Sequence, residues 1–213
     1  MRGFSVDEKI SIDVYYDYGC PYAWGASVLL RNVKQQVGDK LDVRWRYFPL
    51  EQVNAPDEPD WKLWEQPADY RSRGRTAFHG AIAARRQGEE AFERFHYALF
   101  DLKHAEGKDH GRRATVVEAA EKADLDLGEF ERDLDDASLL SHMAEDYEYA
   151  HDELGVFGVP TFVFPDGNSA YIKILPAPEG PEAVEVFDDL VRTVRDRPFI
   201  GEIKRPKKPE KNQ

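Results

Sequence analysis

One cysteine, Cys20, lies in the run Ile10-Ser11-Ile12-Asp13-Val14-Tyr15-Tyr16-Asp17-Tyr18-Gly19-Cys20-Pro21-Tyr22-Ala23-Trp24. A cysteine does chemistry as its thiolate, a nucleophile toward disulfides and other soft electrophiles. Ile10, Ile12, Val14 and Tyr16 alternate with a period of two, which predicts a strand ending just before the cysteine. Pro21 suits the first position of a helix, where its fixed φ helps and its missing N–H costs nothing. Cys20 is then the N-cap, its sulfur facing unpaired backbone N–H groups and the positive end of the helix dipole. That setting predicts a pKa below the ~8.5 of a free cysteine. A lone cysteine elsewhere in a chain reads as a small buried hydrophobe. Here the strand-to-helix position favours the reactive thiol. Tyr18 and Tyr22 flank it, either as hydrogen-bond donors to the sulfur or as packing residues, with Tyr22 the stronger functional candidate.

A second landmark is Gly155-Val156-Phe157-Gly158-Val159-Pro160-Thr161-Phe162-Val163-Phe164. Proline cannot donate to a sheet ladder, so Pro160 belongs at the first residue of a strand or on an edge. Val-Pro-Thr also fits a cis-proline turn, and the sequence leaves the isomer open.

Together these two landmarks resemble the DsbA-like branch of the thioredoxin superfamily, which also includes 2-hydroxychromene-2-carboxylate isomerases and kappa-class glutathione transferases. The resemblance covers residues 10–195: strand, Cys-Pro, helix, a long helical stretch, Gly-Val-Phe-Gly-Val-Pro-Thr, then a closing hairpin and helix. It implies an α/β thioredoxin fold with a large all-helical insertion. It also implies that Cys20 is the nucleophile and that the Val159 backbone, beside Pro160, receives an incoming peptide or thiol. One departure limits the chemistry. Dithiol members carry Cys-x-x-Cys, whereas this chain has Ala23 at the second position and no other cysteine. An internal disulfide is excluded. Cys20-Pro21-Tyr22 is also similar to the Ser-Pro-Tyr pattern of the isomerase and kappa branches, with sulfur in place of the hydroxyl.

The elements that must position these residues follow from patterning. Val28, Leu29, Val33 and Val37 stripe the first helix, which Gly38 ends. Leu41, Val43, Trp45 and Tyr47 alternate as a second strand, expected to be parallel to the first through a right-handed crossover. Residues 54–67, with Pro56, Pro59 and Pro67, read as a loop over the site. Its Trp61 and Trp64 are either an apolar wall beside the sulfur or loop anchors, and anchoring is favoured. Residues 68–154 are helical in pattern. Tyr70, Ala77, Phe78, Ala81 and Ile82 share one face, and Phe92, Phe95, Leu99 and Leu102 mark a second helix. Thr115–Glu118 and Asp126–Glu129 fit capping boxes, and Ser138 fits an N-cap. Pro165-Asp166-Gly167-Asn168 signals a turn into a strand over 170–175. Val184, Phe187, Leu190, Val191 and Val194 give a last amphipathic helix.

The expected organisation is a discontinuous core over 8–53 and 155–200, a loop and helical insertion over 54–154, and a disordered tail over 201–213 rich in lysine and proline. With 29 basic and 41 acidic residues the net charge is −12, which argues against nucleic acid as partner. No apolar run approaches the ~20 residues of a membrane span, and the first residues lack the apolar core of a signal peptide. With one cysteine, this points to a reducing cytoplasm. The six histidines show no paired metal-ligand spacing, so no metal is expected. His79 and His151 are candidates to approach Cys20 as acid or base.

The leading functional expectation is a monothiol thiol–disulfide oxidoreductase. Its site is Cys20 with Pro21, Tyr22, Val159 and Pro160, and no cofactor is bound. Glutathione or another low-molecular-weight thiol is the expected co-substrate, and a protein disulfide or small thiol the expected partner. A homodimer is the candidate assembly. The alternatives are a glutathione-dependent transferase or isomerase and a non-enzymatic peptide-binding module.

Overall fold

The computed structural model describes residues 9–55 and 60–205. β1 (Ile10–Tyr16) leads through the cysteine turn into α1 (Pro21–Val37). A 3-10 turn at Gly38–Lys40 then feeds β2 (Leu41–Tyr47). Gly38 has φ of +59°, a conformation that glycine adopts without the Cβ clash other residues meet, and the helix stops there. β1 and β2 are parallel, with Ile10 opposite Leu41 and Tyr16 opposite Tyr47. The period-two pattern is realised: Ile12, Val14 and Tyr16 are all fully buried.

A short helix, α2 (Leu50–Val53), follows β2. The helical layer comprises α3 (Arg75–Arg86), α4 (Glu89–His104), α5 (Arg113–Lys122), α6 (Leu127–Leu134) and α7 (Ser141–Asp152). The chain then returns as β3 (Thr161–Val163), antiparallel to β1 with Val14 opposite Phe162. β4 (Ser169–Tyr171) is antiparallel to β3, so the strand order is β2-β1-β3-β4. α8 (Gly180–Val194) packs against α1. This is the mixed α/β arrangement with a large helical insertion that the family resemblance implied.

Several local boundaries differ from expectation, each for a visible reason. Tyr70 precedes α3 rather than lying on it, because the Ser72 hydroxyl accepts the amides of Gly74 (3.2 Å) and Arg75 (2.8 Å) and starts the helix there. Thr115 sits buried inside α5, whose N-cap is Arg112, so it caps nothing. Asp126 does cap α6, accepting the Glu129 amide at 2.9 Å. Ser138 is not the cap of α7. Asp136 accepts its amide (3.1 Å) and its hydroxyl (2.6 Å), and a 3-10 turn at Ala137–Leu140 comes before the helix. The last strand ends at Tyr171, short of the expected 170–175. The Ile172 amide adds one bond to the Pro160 carbonyl (3.1 Å), and the backbone then closes on α1, where a Cβ on Gly25 would lie 1.9 Å from the Ile174 oxygen.

The two loop tryptophans anchor the chain. Trp61 meets Tyr70 edge-on at 6.0 Å, and Trp64 packs 5.7 Å from Tyr147 of α7. The buried Arg75 adds to this anchoring by donating to the carbonyls of Gln66 (2.6 Å) and Pro67 (2.8 Å). Pro56 and Pro59, and most of the expected disordered tail (206–213), lie outside the described residues.

Candidate active site

The cysteine turn is closed by the Cys20 amide donating to the Asp17 carbonyl at 3.1 Å. Cys20 has φ −87° and ψ 117°, is the N-cap of α1, and has Pro21 as the first helical residue. The Asp17 carboxylate is buried and accepts the amides of Gly19 (2.6 Å) and Leu50 (2.7 Å), which ties the turn to the start of α2. From the insertion, the His104 Nε2–H donates to the Tyr18 carbonyl at 2.9 Å. The His104 ring stacks on Trp24, whose indole N–H donates to Asp101 at 3.1 Å. The buried His110 packs beside Gly19, where an added Cβ would meet its Nε2 at 3.4 Å. Thus α4 and the loop after it hold the turn that presents the thiol.

The opposite wall comes from the distant end of the chain. The Val159–Pro160 peptide bond is cis, both residues are buried, and the Val159 carbonyl accepts a hydrogen bond from the Cys20 Sγ at 3.4 Å. The structure therefore brings Cys20, Val159 and Pro160 together. Tyr22, half-buried, lies two residues into α1, and Pro21 is exposed beside it. Ala23 is fully buried where a dithiol protein would carry its second sulfur.

The acidity of the thiol departs from the expectation drawn from the helix terminus. Burial pushes the Cys20 thiol up from its ordinary value. The amides of Ala23 and Tyr22 oppose this, but the sulfur makes no cap hydrogen bond. The negative charge of Asp17 raises the value further, and the ammonium of Lys173 lowers it. A thiolate in this pocket loses more from the exclusion of water than the helix end returns. Burial also raises the Asp17 carboxyl, against the pull of its two amide donors.

Other candidates are placed elsewhere. The Tyr18 hydroxyl is fully buried between the Tyr16 hydroxyl (3.4 Å) and His96 Nδ1 (3.3 Å), so it serves the core and not the sulfur. His79 Nε2–H donates to the Asp136 carbonyl at 2.9 Å, and His151 pairs with Asp152 at 2.7 Å. Neither joins the cysteine turn. The groups that do surround it and were not singled out from sequence are Asp17, His104, His110, Tyr171 and Lys173. A signal existed for the last two: β4 must pair with the strand that Pro160 opens, which carries Tyr171 and its neighbours to the site. Among the described residues, no cluster of three or more His, Cys, Asp or Glu side chains is placed to hold a metal ion. Nor is any helix there long and apolar enough to cross a membrane.

The arrangement offers a thiol with an adjacent carbonyl, and helix amides that favour the developing sulfur anion, at a cis-proline step. The chain is 28% identical over 211 residues to the uncharacterized protein Rv2286c of Mycobacterium tuberculosis, covering 93% of this chain and 83% of that protein. Among solved structures it is similar to 2-hydroxychromene-2-carboxylate isomerase (TM-score 0.63, 21% identity, covering 91% of this chain and 100% of that one). It is also similar to the cytosolic disulfide reductase DsbM of Pseudomonas aeruginosa (TM-score 0.57, 17% identity, covering 87% of this chain and 100% of that one). The family model for the DSBA-like thioredoxin domain matches residues 11–185, and with the Cys-Pro helix start facing the Val159–Pro160 step, the chain belongs to that family.

Proposed function

We propose that this protein is a thiol–disulfide oxidoreductase of monothiol type, acting in a reducing cytoplasm on a protein disulfide or a small disulfide. The observation that supports it best is the 3.4 Å approach of the only sulfur nucleophile to the Val159 carbonyl at a cis-proline step. A substrate strand laid along that backbone brings its disulfide to Cys20. The Cys20 thiolate attacks one sulfur, a mixed disulfide forms, and the other sulfur leaves with the electron pair of the broken bond. Because Ala23 has no thiol, an external thiol such as glutathione attacks the mixed disulfide and regenerates Cys20. The amides of Tyr22 and Ala23 stabilise the sulfur anion in both steps.

The test is intact mass after incubation with oxidised glutathione, then with dithiothreitol. The wild type gains one glutathione that dithiothreitol removes, and Cys20→Ser gains none. Failure of the wild type to form the adduct while iodoacetamide still labels Cys20 refutes the reading.

One observation favours a second reading, a glutathione-dependent transferase or isomerase. The raised pKa and the donation to Val159 describe a protonated thiol, which can hydrogen-bond a bound glutathione as a serine hydroxyl does. In that case Cys20→Ser retains activity on a glutathione-dependent substrate.

A further inference from the structure

Beside the thiol, the rim of the site carries a cation with no carboxylate partner among the described residues. The ammonium of Lys173 lies 4.9 Å from the ring centroid of Tyr22 and 5.4 Å from that of Tyr171. Tyr22 follows Cys20 by two residues, and Tyr171 pairs with Thr161, next to Pro160. The bond from the Ile172 amide to the Pro160 carbonyl holds this segment against the cis-proline step. A Cβ on Gly158 would sit 3.5 Å from the Tyr171 ring, so that ring also abuts the residue before Val159. Contacts therefore run from Cys20 through Val159, Gly158 and Tyr171 to Lys173, and back through Tyr22. The charge of Lys173 reaches the sulfur and favours its thiolate.

Lys173 is exposed, and its electrostatic neighbours are Tyr171, Tyr22 and Cys20. Two aromatic faces restrain the long side chain and hold the ammonium in place without neutralising it. Phe157, 71% exposed and 5.4 Å from the Tyr171 ring, adds an apolar flank. In a chain of net charge −12, a restrained and unneutralised cation at the nucleophile is a local reversal of the overall field.

We propose that Lys173, held between Tyr22 and Tyr171, selects disulfides that carry a carboxylate close to the reacting sulfur. This rests on the monothiol reading given above. The step is the same exchange: the Cys20–sulfur bond forms, the substrate disulfide breaks, and the leaving thiolate departs with the electron pair. An external thiolate then attacks the substrate-side sulfur and returns Cys20 as a thiolate. The substrate carboxylate sits on Lys173 throughout and takes no part in bond making.

The test uses three small disulfides of opposite charge: dithiodiglycolate (anionic), hydroxyethyl disulfide (neutral) and cystamine (cationic). Rates of Cys20 adduct formation are read by intact mass, and the quantity compared is the anionic-to-cationic rate ratio. Any change in the thiolate fraction of Cys20 scales both rates alike and cancels in that ratio. One exposed charge contact changes a rate about twofold, and each change acts oppositely on the anionic and cationic rates, so Lys173→Gln should lower the ratio about fourfold and Lys173→Glu about sixteenfold. A ratio in Lys173→Glu within about twofold of wild type overturns the proposal, since that is no more than one exposed contact. If none of the three disulfides labels Cys20 while iodoacetamide does, the exchange reading fails and takes the selectivity with it. A further arm compares disulfide-linked peptides with Glu or Lys beside the cysteine. Stronger dependence on Lys173 with the small probes assigns the carboxylate to a low-molecular-weight thiol, and stronger dependence with the peptides assigns it to a polypeptide.

Discussion

Replacing Asp17 with Asn removes the buried negative charge that raises the Cys20 pKa. Burial is the larger cause and stays in place, but losing the charge lowers the thiol's pKa and raises the thiolate fraction at neutral pH. A less basic thiolate is also a weaker nucleophile, with a Brønsted coefficient of about 0.4–0.5, so the rate rises by roughly the square root of the gain in thiolate fraction, a few-fold at neutral pH. The variant keeps one amide acceptor where the carboxylate served both Gly19 and Leu50, which costs about 1–3 kcal/mol of stability. The assay is the rate of iodoacetamide alkylation against pH, with far-UV circular dichroism confirming the fold. Wild type should inflect above the free-thiol value, and Asp17→Asn should inflect lower and react faster at neutral pH. An unchanged or higher inflection in a folded variant refutes the assignment of Asp17. A wild-type inflection below the free value refutes the argument from burial itself.

Two further tests address the scaffold. Gly25→Ala places a methyl 1.9 Å from the Ile174 oxygen, and overpacking against backbone should cost about 2–3 kcal/mol and lower Tm by about 5–10 °C. An unchanged Tm would mean that the segment after β4 does not lie on α1. His110 is held at about 4 by burial, so the unfolded chain takes up its proton first as pH falls. That contribution to stability is complete above ~6.5 and is lost on descending to about 4, amounting to about 3 kcal/mol at most. The urea midpoint should therefore fall across that window and fall less in His110→Gln, and equal slopes in the two proteins would refute it.

The strand, the Cys-Pro helix start and the parallel second strand were legible because their signals are local. Alternation over 10–16 and 41–47, a proline at the first helical position and Gly38 past the end each act within a few residues. The meeting of Cys20 with Val159 was reachable only through family resemblance, since no periodicity links residues so far apart. The acidity of the thiol misled for the same reason. A helix terminus is visible in sequence, but the wall that excludes water comes from the other end of the chain. The caps misread at Thr115 and Ser138 show the limit of short motifs. Arg112 and Asp136 start those segments instead, and nothing in a four-residue pattern ranks neighbouring candidates. Lys173 carries no motif and became visible only through pairing across the hairpin.

The hydrogen bond between the Cys20 sulfur and the Val159 carbonyl spans 139 residues of chain. On the ribosome, the nucleophile emerges long before the backbone that covers it. At about 5–20 residues per second, the thiol stays open to oxidants for roughly seven to thirty seconds of synthesis. During that interval β1 has β2 beside it but lacks β3, so its other edge is bare. Oxidation of the nascent chain at Cys20 would load the cysteine before any substrate site exists, and in the proposed cycle the external thiol that regenerates Cys20 is also the agent that would clear it. Under that proposal, the same chemistry serves the newborn protein as repair and the folded one as turnover.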